Sequence, residues 1–248
     1  MTATSRNEAD TGDASTVLQL DDVHVRFGRQ SALHGINLRI QAGEVVALVG
    51  ANGSGKSTLL RVMHGLVRVK AGRVERAAQA LQAMLFQRPF MLRTSAQNNV
   101  ALALWLRGTP WRAAREQALQ ALRRVELLPQ AAQNARTLSG GQQQRLALAR
   151  AWSTSPRVFL LDEPTASLDP HAKREVEDLI AELAAPQGTA TLVLASHNLG
   201  QVKRLATRVV YLEQGRILAD LPVDEFFDMA SLQGASPSAA LFVKGELT

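Results

Sequence analysis

Gly50-Ala51-Asn52-Gly53-Ser54-Gly55-Lys56-Ser57 is the stretch that decides how this chain folds. It has the spacing G-x-x-x-x-G-K-[ST], and Thr58 follows it. Before it, Val45, Val46, Ala47, Leu48 and Val49 form an unbroken apolar run, as in a strand buried on both faces of a parallel sheet. After it, residues 56–66 read as a helix. Strand, glycine-rich loop and helix in that order make a phosphate cradle. The glycines let the backbone wrap an anion with its N–H groups pointing inward, and the helix N-terminus adds the positive end of its dipole. Lys56 is placed for the β- and γ-phosphates and Ser57 for a magnesium ion.

Val158-Phe159-Leu160-Leu161-Asp162-Glu163 is the second piece, four apolar residues ending in two adjacent carboxylates. The carboxyl end of a parallel strand is where open α/β sheets place ligands. Asp162 can complete a magnesium shell. Glu163 points elsewhere, because strand side chains alternate, and can orient or deprotonate a water. Alone, the pair is an ordinary acidic strand end before Pro164; beside a phosphate loop it reads as chemistry. Leu138-Ser139-Gly140-Gly141-Gln142 is the third piece. Ser139 caps a helix over residues 142–151, and the two glycines bare the N–H groups at its start, which makes a second anion site. One chain rarely needs two such sites for one nucleotide, whereas two chains facing head to tail would use both.

Composition narrows the class. Of 248 residues, 46% are hydrophobic and 20% charged, as in a globular chain with a core to bury. No apolar stretch approaches the roughly 18–20 residues of a membrane helix. Residues 1–16 are polar without an apolar centre, so they read as a flexible N-terminal arm and not as a secretory signal. Cysteine is absent, which excludes disulfides, Cys-ligated zinc and a thiol nucleophile. A net charge of +6 would suit a polyanionic partner. Aromatic residues are only 4%, too few for the stacking platforms of single-strand binders. A basic enzyme surface is therefore expected, and no nucleic acid.

Near-alternate apolar residues from Val17 to Phe27, and again from Leu33 to Ile40, predict two half-buried strands. Thr109 as cap, with Pro110 in the first turn, opens a helix carried by Trp111, Ala114, Ala118, Leu122 and Val125. Residues 88–151 lack strand signals and are expected to be mostly helical. A helix over 171–184 leads to a buried strand at 191–195. Glu213-Gln214-Gly215 marks a hairpin between 209–212 and 216–219. Between Gly72 and Gln87 the pattern is weak, and residues 73–82 are expected to cross as an irregular or helix-like segment. Beyond Leu221 no added domain is expected.

The three pieces, together with Phe27, Gln87, Ser167-Leu168-Asp169 and His197 in this order, resemble the ATP-binding cassette family over about residues 17–221. The resemblance implies an α/β fold of the P-loop NTPase (RecA-like) kind. Its mostly parallel sheet core carries a small antiparallel β subdomain and a helical subdomain at about 88–151, all within one ATPase domain of residues 17–248. It implies ATP and Mg2+ as cofactors. By position, Gly50, Ala51, Asn52, Gly53, Ser54, Gly55, Lys56, Ser57 and Thr58 would hold the nucleotide. Phe27 would stack on adenine, where the family more often has tyrosine; the alternative is a core phenylalanine at a strand end. Ser57, Gln87 and Asp162 would attend the metal, and Gln87, Glu163 and His197 would serve hydrolysis. Alone, His197 would read as a structural histidine. Ser139, Gly140, Gly141, Gln142 and Asp169 would complete the site of an opposed second ATPase subunit in a head-to-tail homodimer.

Within the family, DNA-repair members carry long coiled coils or zinc hooks, and ribosome-acting members usually carry two cassettes. This chain resembles a transporter motor, whose membrane-spanning permease subunits lie on separate chains at the cytoplasmic face of the inner membrane. Phe86-Gln87-Arg88-Pro89-Phe90-Met91-Leu92-Arg93 with Asn98-Asn99-Val100, and the ending from Phe226-Phe227 to Leu247, resemble bacterial oxyanion importers of the tungstate, molybdate and phosphate kind. Such importers add a periplasmic solute-binding protein. The alternatives are a motor for an exporter or lipoprotein-release system, or a soluble non-transport member. Arg88, Pro89, Phe90, Met91 and Leu92 either dock a permease helix or pack the insert against the core; three adjacent apolar residues suit both.

Overall fold

The computed structural model describes residues 16–78, 80–184 and 190–247. Residues 1–15 of the expected arm lie outside the described residues, and Thr16 already belongs to the first strand. Strands β1 (Thr16–Phe27) and β2 (Gln30–Gln41) pair antiparallel. β3 (Val45–Val49) enters the phosphate loop and α1 (Lys56–His64) leaves it, stopping at Gly65 in the left-handed region. β4 (Ala71–Arg76) returns to pair with β1, and β5 (Gln82–Leu85) moves to the second sheet. The insert follows as α2 (Ala96–Trp105), α3 (Trp111–Arg124) and α4 (Gly140–Ser153). Then come β6 (Val158–Asp162), α5 (Pro170–Ala184), β7 (Thr191–Ala195), α6 (Leu199–Leu205), β8 (Arg208–Glu213) and β9 (Arg216–Pro222). Three short helices, α7 (Val223–Phe227), α8 (Met229–Ala235) and α9 (Pro237–Leu247), close the chain.

Two sheets result. One is antiparallel, in the order β2-β1-β4; the other runs β5-β6-β7-β3-β8-β9, parallel except for the last pair. The unbroken apolar runs of β3, β6 and β7 are buried along their whole length because both faces of this sheet are covered. On one face, Leu18, Leu20, Ile36 and Ile40 of the antiparallel sheet meet Leu59, Leu60 and Met63 of α1. On the other, Phe159 and Leu161 pack with Val100 and Leu122 of the insert, Leu146 of α4 and Ile180 of α5. A third cluster joins Val49 and Tyr211 to Phe226 and Val243 of the final helices.

Two expectations change. Residues 73–76 are neither irregular nor helix-like: they belong to β4, which pairs with β1, Val74 opposite Leu20 and Arg76 opposite Leu18, whereas the described residues 77, 78, 80 and 81 do cross without regular structure. Gly72 makes this approach possible, since a Cβ there would lie 2.2 Å from the Asp22 carbonyl. β4 reads weakly because only Val74 turns even partly inward. Nor is Thr109 the cap of α3. Its N–H donates to Leu104 O (3.1 Å), closing the turn from α2 through Gly108, so Pro110 occupies the cap position without a side-chain bond.

Candidate nucleotide site

The loop after β3 folds around its own lysine. Lys56 is 5% exposed, and its Nζ donates to Gly50 O (2.6 Å) and Ala51 O (3.0 Å). Burial pulls the ammonium below the usual lysine range, while the nearby Glu163 and Asp162 carboxylates oppose that shift. Two glycines are required by space: a Cβ on Gly50 would lie 2.1 Å from Leu212 O, and one on Gly55 would lie 2.9 Å from Leu33 Cδ2. Both have positive φ, 147° and 111°, which favours glycine independently.

The end of β6 meets this loop. Asp162 Oδ1 accepts from Ser57 Oγ at 2.7 Å. Burial raises the Asp162 carboxyl, partly countered by the Ser57 hydroxyl and by Arg61. Glu163 lies one residue past the strand with φ 44°, so a left-handed backbone turn, not strand alternation, aims its side chain. The turn is held by the Glu163 N–H donating to Ala195 O (3.0 Å). Glu163 Oε2 accepts from Gln87 Nε2 (3.0 Å) and lies 3.5 Å from His197 Nδ1. Gln87, Glu163 and His197 thus converge from the ends of three parallel strands, β5, β6 and β7.

A cleft of about 1030 Å³ opens over these groups, lined by Phe27, Asn52, Gly53, Gly55, Lys56, Ser57, Thr58, Gln87, Glu163 and His197. Phe27 is 53% exposed and His197 is half-exposed, so neither is a core residue. Gly50, Ala51 and Ser54 are not among the lining residues: Gly50 and Ser54 are buried, Ala51 is exposed, and Ser54 Oγ has no hydrogen-bond partner. Such an orphaned hydroxyl fits a loop shaped for a polar ligand. Among the described residues no three His, Cys, Asp or Glu side chains gather as a metal cage. The Ser57–Asp162 pair suits magnesium, which is commonly bound by one or two carboxylates plus substrate phosphates. Gln30, Ser31 and His34 of β2, and Gln214 and Arg216 of the β8–β9 hairpin, also line the cleft. Sequence reasoning missed them, because the hairpin was legible but the sheet that carries it to the cleft was not.

Ser139, Gly140, Gly141, Gln142 and Asp169 do not line this cleft. Ser139 Oγ accepts from the Gln142 N–H (3.3 Å), and Gln142 Oε1 accepts from the Ser139 N–H (3.0 Å), a reciprocal cap on α4. The Gln142 side chain is therefore committed to its own helix. Asp169 Oδ1 accepts from the N–H groups of His171 and Ala172 (3.0 Å each) at the start of α5, which holds its carboxyl below the usual range, the Ala172 bond most. The two helix starts lie side by side, since a Cβ on Gly141 would sit 2.6 Å from Ala172 Cβ.

In the segment after Gln87 the apolar residues divide. Phe90 is 74% exposed, Leu92 is half-buried, and Met91 is buried in the core with the insert. Met91 thus takes the packing role and Phe90 is free at the surface. Arg150 of α4 donates to Phe90 O (3.1 Å) and fixes the loop.

Comparison with known proteins agrees with this architecture. Residues 33–166 match the ABC transporter family. The chain is 41% identical over 234 residues to the phosphonates import ATP-binding protein PhnC 1 of Pseudomonas aeruginosa, covering 83% of this chain and 84% of that protein. It is 39% identical over 233 residues to the methionine import ATP-binding protein MetN of Caulobacter vibrioides, covering 88% and 68%. Among solved structures, the ATP-binding cassette MJ0796, a dimer in a post-hydrolysis state bound to ADP and Pi, superposes with a TM-score of 0.74 at 28% identity, over 83% of this chain and 98% of that one. The chain belongs to the ABC transporter family, as its ATP-binding, ATP-hydrolysing subunit. No described helix is long and apolar enough to cross a membrane.

Proposed function

We propose that this chain drives solute import, as one of two ATPase subunits docked on permease chains at the cytoplasmic face of the membrane, and that residues 17–248 act as one ATPase unit. The convergence of Gln87, Glu163 and His197 over the Lys56–Ser57 corner carries the reading. Lys56 and the loop N–H groups hold the β- and γ-phosphates, and Phe27 faces the base. Glu163 takes a proton from the attacking water, with Gln87 and His197 fixing its orientation. Ser57, Gln87 and Asp162 would hold magnesium, which supplies neutralising charge at the β- and γ-oxygens when bound. Ser139, Gly140, Gly141, Gln142 and Asp169, which do not line their own cleft, would serve the opposed copy, Gln142 by capping Ser139 in place.

The solute class proposed is an oxyanion, tungstate among them, delivered by a periplasmic binding protein. The phosphonate relative and the Phe86–Arg93 pattern support it. Binding-protein capture assays with tungstate, molybdate, phosphate and phosphonates, on the receptor encoded beside this chain, test it. Capture of an amino acid instead would overturn it.

Two variants test the assembly. Ser139→Arg is expected to keep the ATP affinity of the single chain and to lower hydrolysis by about 10²-fold or more, the size of a lost transition-state donor. The lost cap costs about 1 kcal/mol, read as a small fall in melting temperature. A tenfold loss of affinity would place Ser139 in its own chain's cleft. Phe90→Ser is expected to leave the melting temperature and the chain's own ATPase activity unchanged, because exposed substitutions fall within about 0.5 kcal/mol. Co-purification with the permease chains and transport are expected to fail. Full co-purification would remove Phe90, and with it the Arg88–Leu92 dock, from the proposal.

A further inference from the structure

Glu163 and His197 meet only if two turns keep their spacing, the one leaving β6 and the one leaving β7. A buried polar brace runs between them. Gln201 of α6 is 2% exposed, and its amide reaches three other segments. Its Oε1 accepts from Ser196 Oγ (2.8 Å), on the residue before His197. Its Nε2 donates to Thr165 Oγ1 (3.1 Å), two residues past Glu163, and to Glu177 Oε1 (3.1 Å) on α5. Ser196 Oγ also accepts from the Asn198 N–H (3.1 Å), so the His197 turn is clasped from both sides. Glu177 is 3% exposed, and its second oxygen accepts from Arg204 of α6. A small cavity of about 120 Å³ is bounded by Glu163, Thr165, Ser196, His197 and Gln201.

Packing alone does not ask for these groups. An apolar side chain of similar volume would fill the space with nothing to satisfy, whereas a buried amide and carboxylate are tolerated only when fully partnered. Here both ends of the Gln201 amide and both oxygens of Glu177 are used, and the bonds end on the two turns that carry the hydrolytic groups.

We propose that Gln201, held by Glu177 and Arg204, is a positioning residue for ATP hydrolysis: it sets the separation of the Glu163 and His197 turns. The inference rests on the reading of Glu163 and His197 as hydrolytic groups.

The experiment measures steady-state ATPase activity, binding of a fluorescent ATP analogue and melting temperature on the full chain. Gln201→Met keeps length and bulk and removes all three amide bonds. It is expected to lower kcat by about 10-fold or more, as small misplacements of reacting groups do, with KM and analogue affinity within about twofold. Gln201→Glu alone sets two carboxylates against each other and is expected to lose as much. Glu177→Gln combined with Gln201→Glu exchanges amide and carboxylate and can re-form each contact with donor and acceptor exchanged: the amide at 177 donates to the carboxylate at 201, the Thr165 hydroxyl turns from acceptor to donor, and Arg204 donates to the amide oxygen at 177. That double variant is expected to recover kcat to within about threefold of the unaltered chain, a coupling between touching residues. Unaltered turnover in Gln201→Met overturns the proposal. So does a parallel loss of affinity, melting temperature and kcat that the double variant fails to recover, which would mark a merely structural role. Glu163→Gln is the control. If it is inactive while Gln201→Met is fully active, only the inference falls; if it hydrolyses normally, the reading of the site falls too.

Discussion

Glu163→Gln is expected to bind ATP like the unaltered chain and to turn it over about 10²–10⁴-fold more slowly, the range lost with a positioned general base. The structure makes this a clean substitution. Glutamine has the same length, and its amide oxygen can accept the bond that Gln87 Nε2 now donates to Glu163 Oε2 at 3.0 Å. Nothing else in the cleft needs to move, so basicity is what is removed. With hydrolysis blocked, ATP stays between the two copies, and gel filtration with saturating ATP is expected to show a persistent dimer. A variant that remains monomeric under saturating ATP would count against the head-to-tail arrangement, and undiminished turnover would remove Glu163 from its role.

Lys56→Ala is expected to lose hydrolysis altogether and to weaken ATP binding by about 10–10²-fold, since a hydrogen bond to a charged group contributes about 1.5–3 kcal/mol and each 1.4 kcal/mol is tenfold. Two effects combine. The ammonium is the compact point charge placed for the phosphates, and arginine's planar fork is no substitute for it. It also donates to Gly50 O and Ala51 O, so its removal leaves both carbonyls without that donor and loosens the loop before any nucleotide arrives. Isothermal titration with ATP and a phosphate-release assay check the two losses separately. Undiminished hydrolysis by Lys56→Ala would overturn the assignment of the cleft.

These residues were legible because their signals are local. The phosphate loop, the apolar run into Asp162 and the Ser139 cap each lie within eight or fewer consecutive residues, and each implies its own geometry. What escaped sequence reading depends on neighbours far along the chain. β4 is a strand because β1 offers it an edge; its own residues, five of six exposed, carry no alternation. Phe90 and Met91 are adjacent apolar residues, and only packing against the insert sends one inward and leaves the other in solvent. Glu177, Gln201 and Arg204 look like solvated helix positions until α5 and α6 are brought together. Arg216 and His34 reach the cleft through pairing patterns that no short motif encodes.

The near-contact between Gly141 and Ala172 has a mechanical consequence. With no room even for a methyl group between the starts of α4 and α5, the two helix ends are meshed like teeth, and the α4 start cannot press closer without pushing the α5 start that Asp169 caps. At the other end of α4, Arg150 grips the carbonyl of Phe90. Ten residues of helix, about 15 Å at 1.5 Å per residue, separate Gly140 from Arg150. α4 is therefore a connecting rod. A push applied at the exposed Phe90 loop is thus expected to travel along α4 to its Ser139 end, where the closely packed start of α5, capped by Asp169, lies against it.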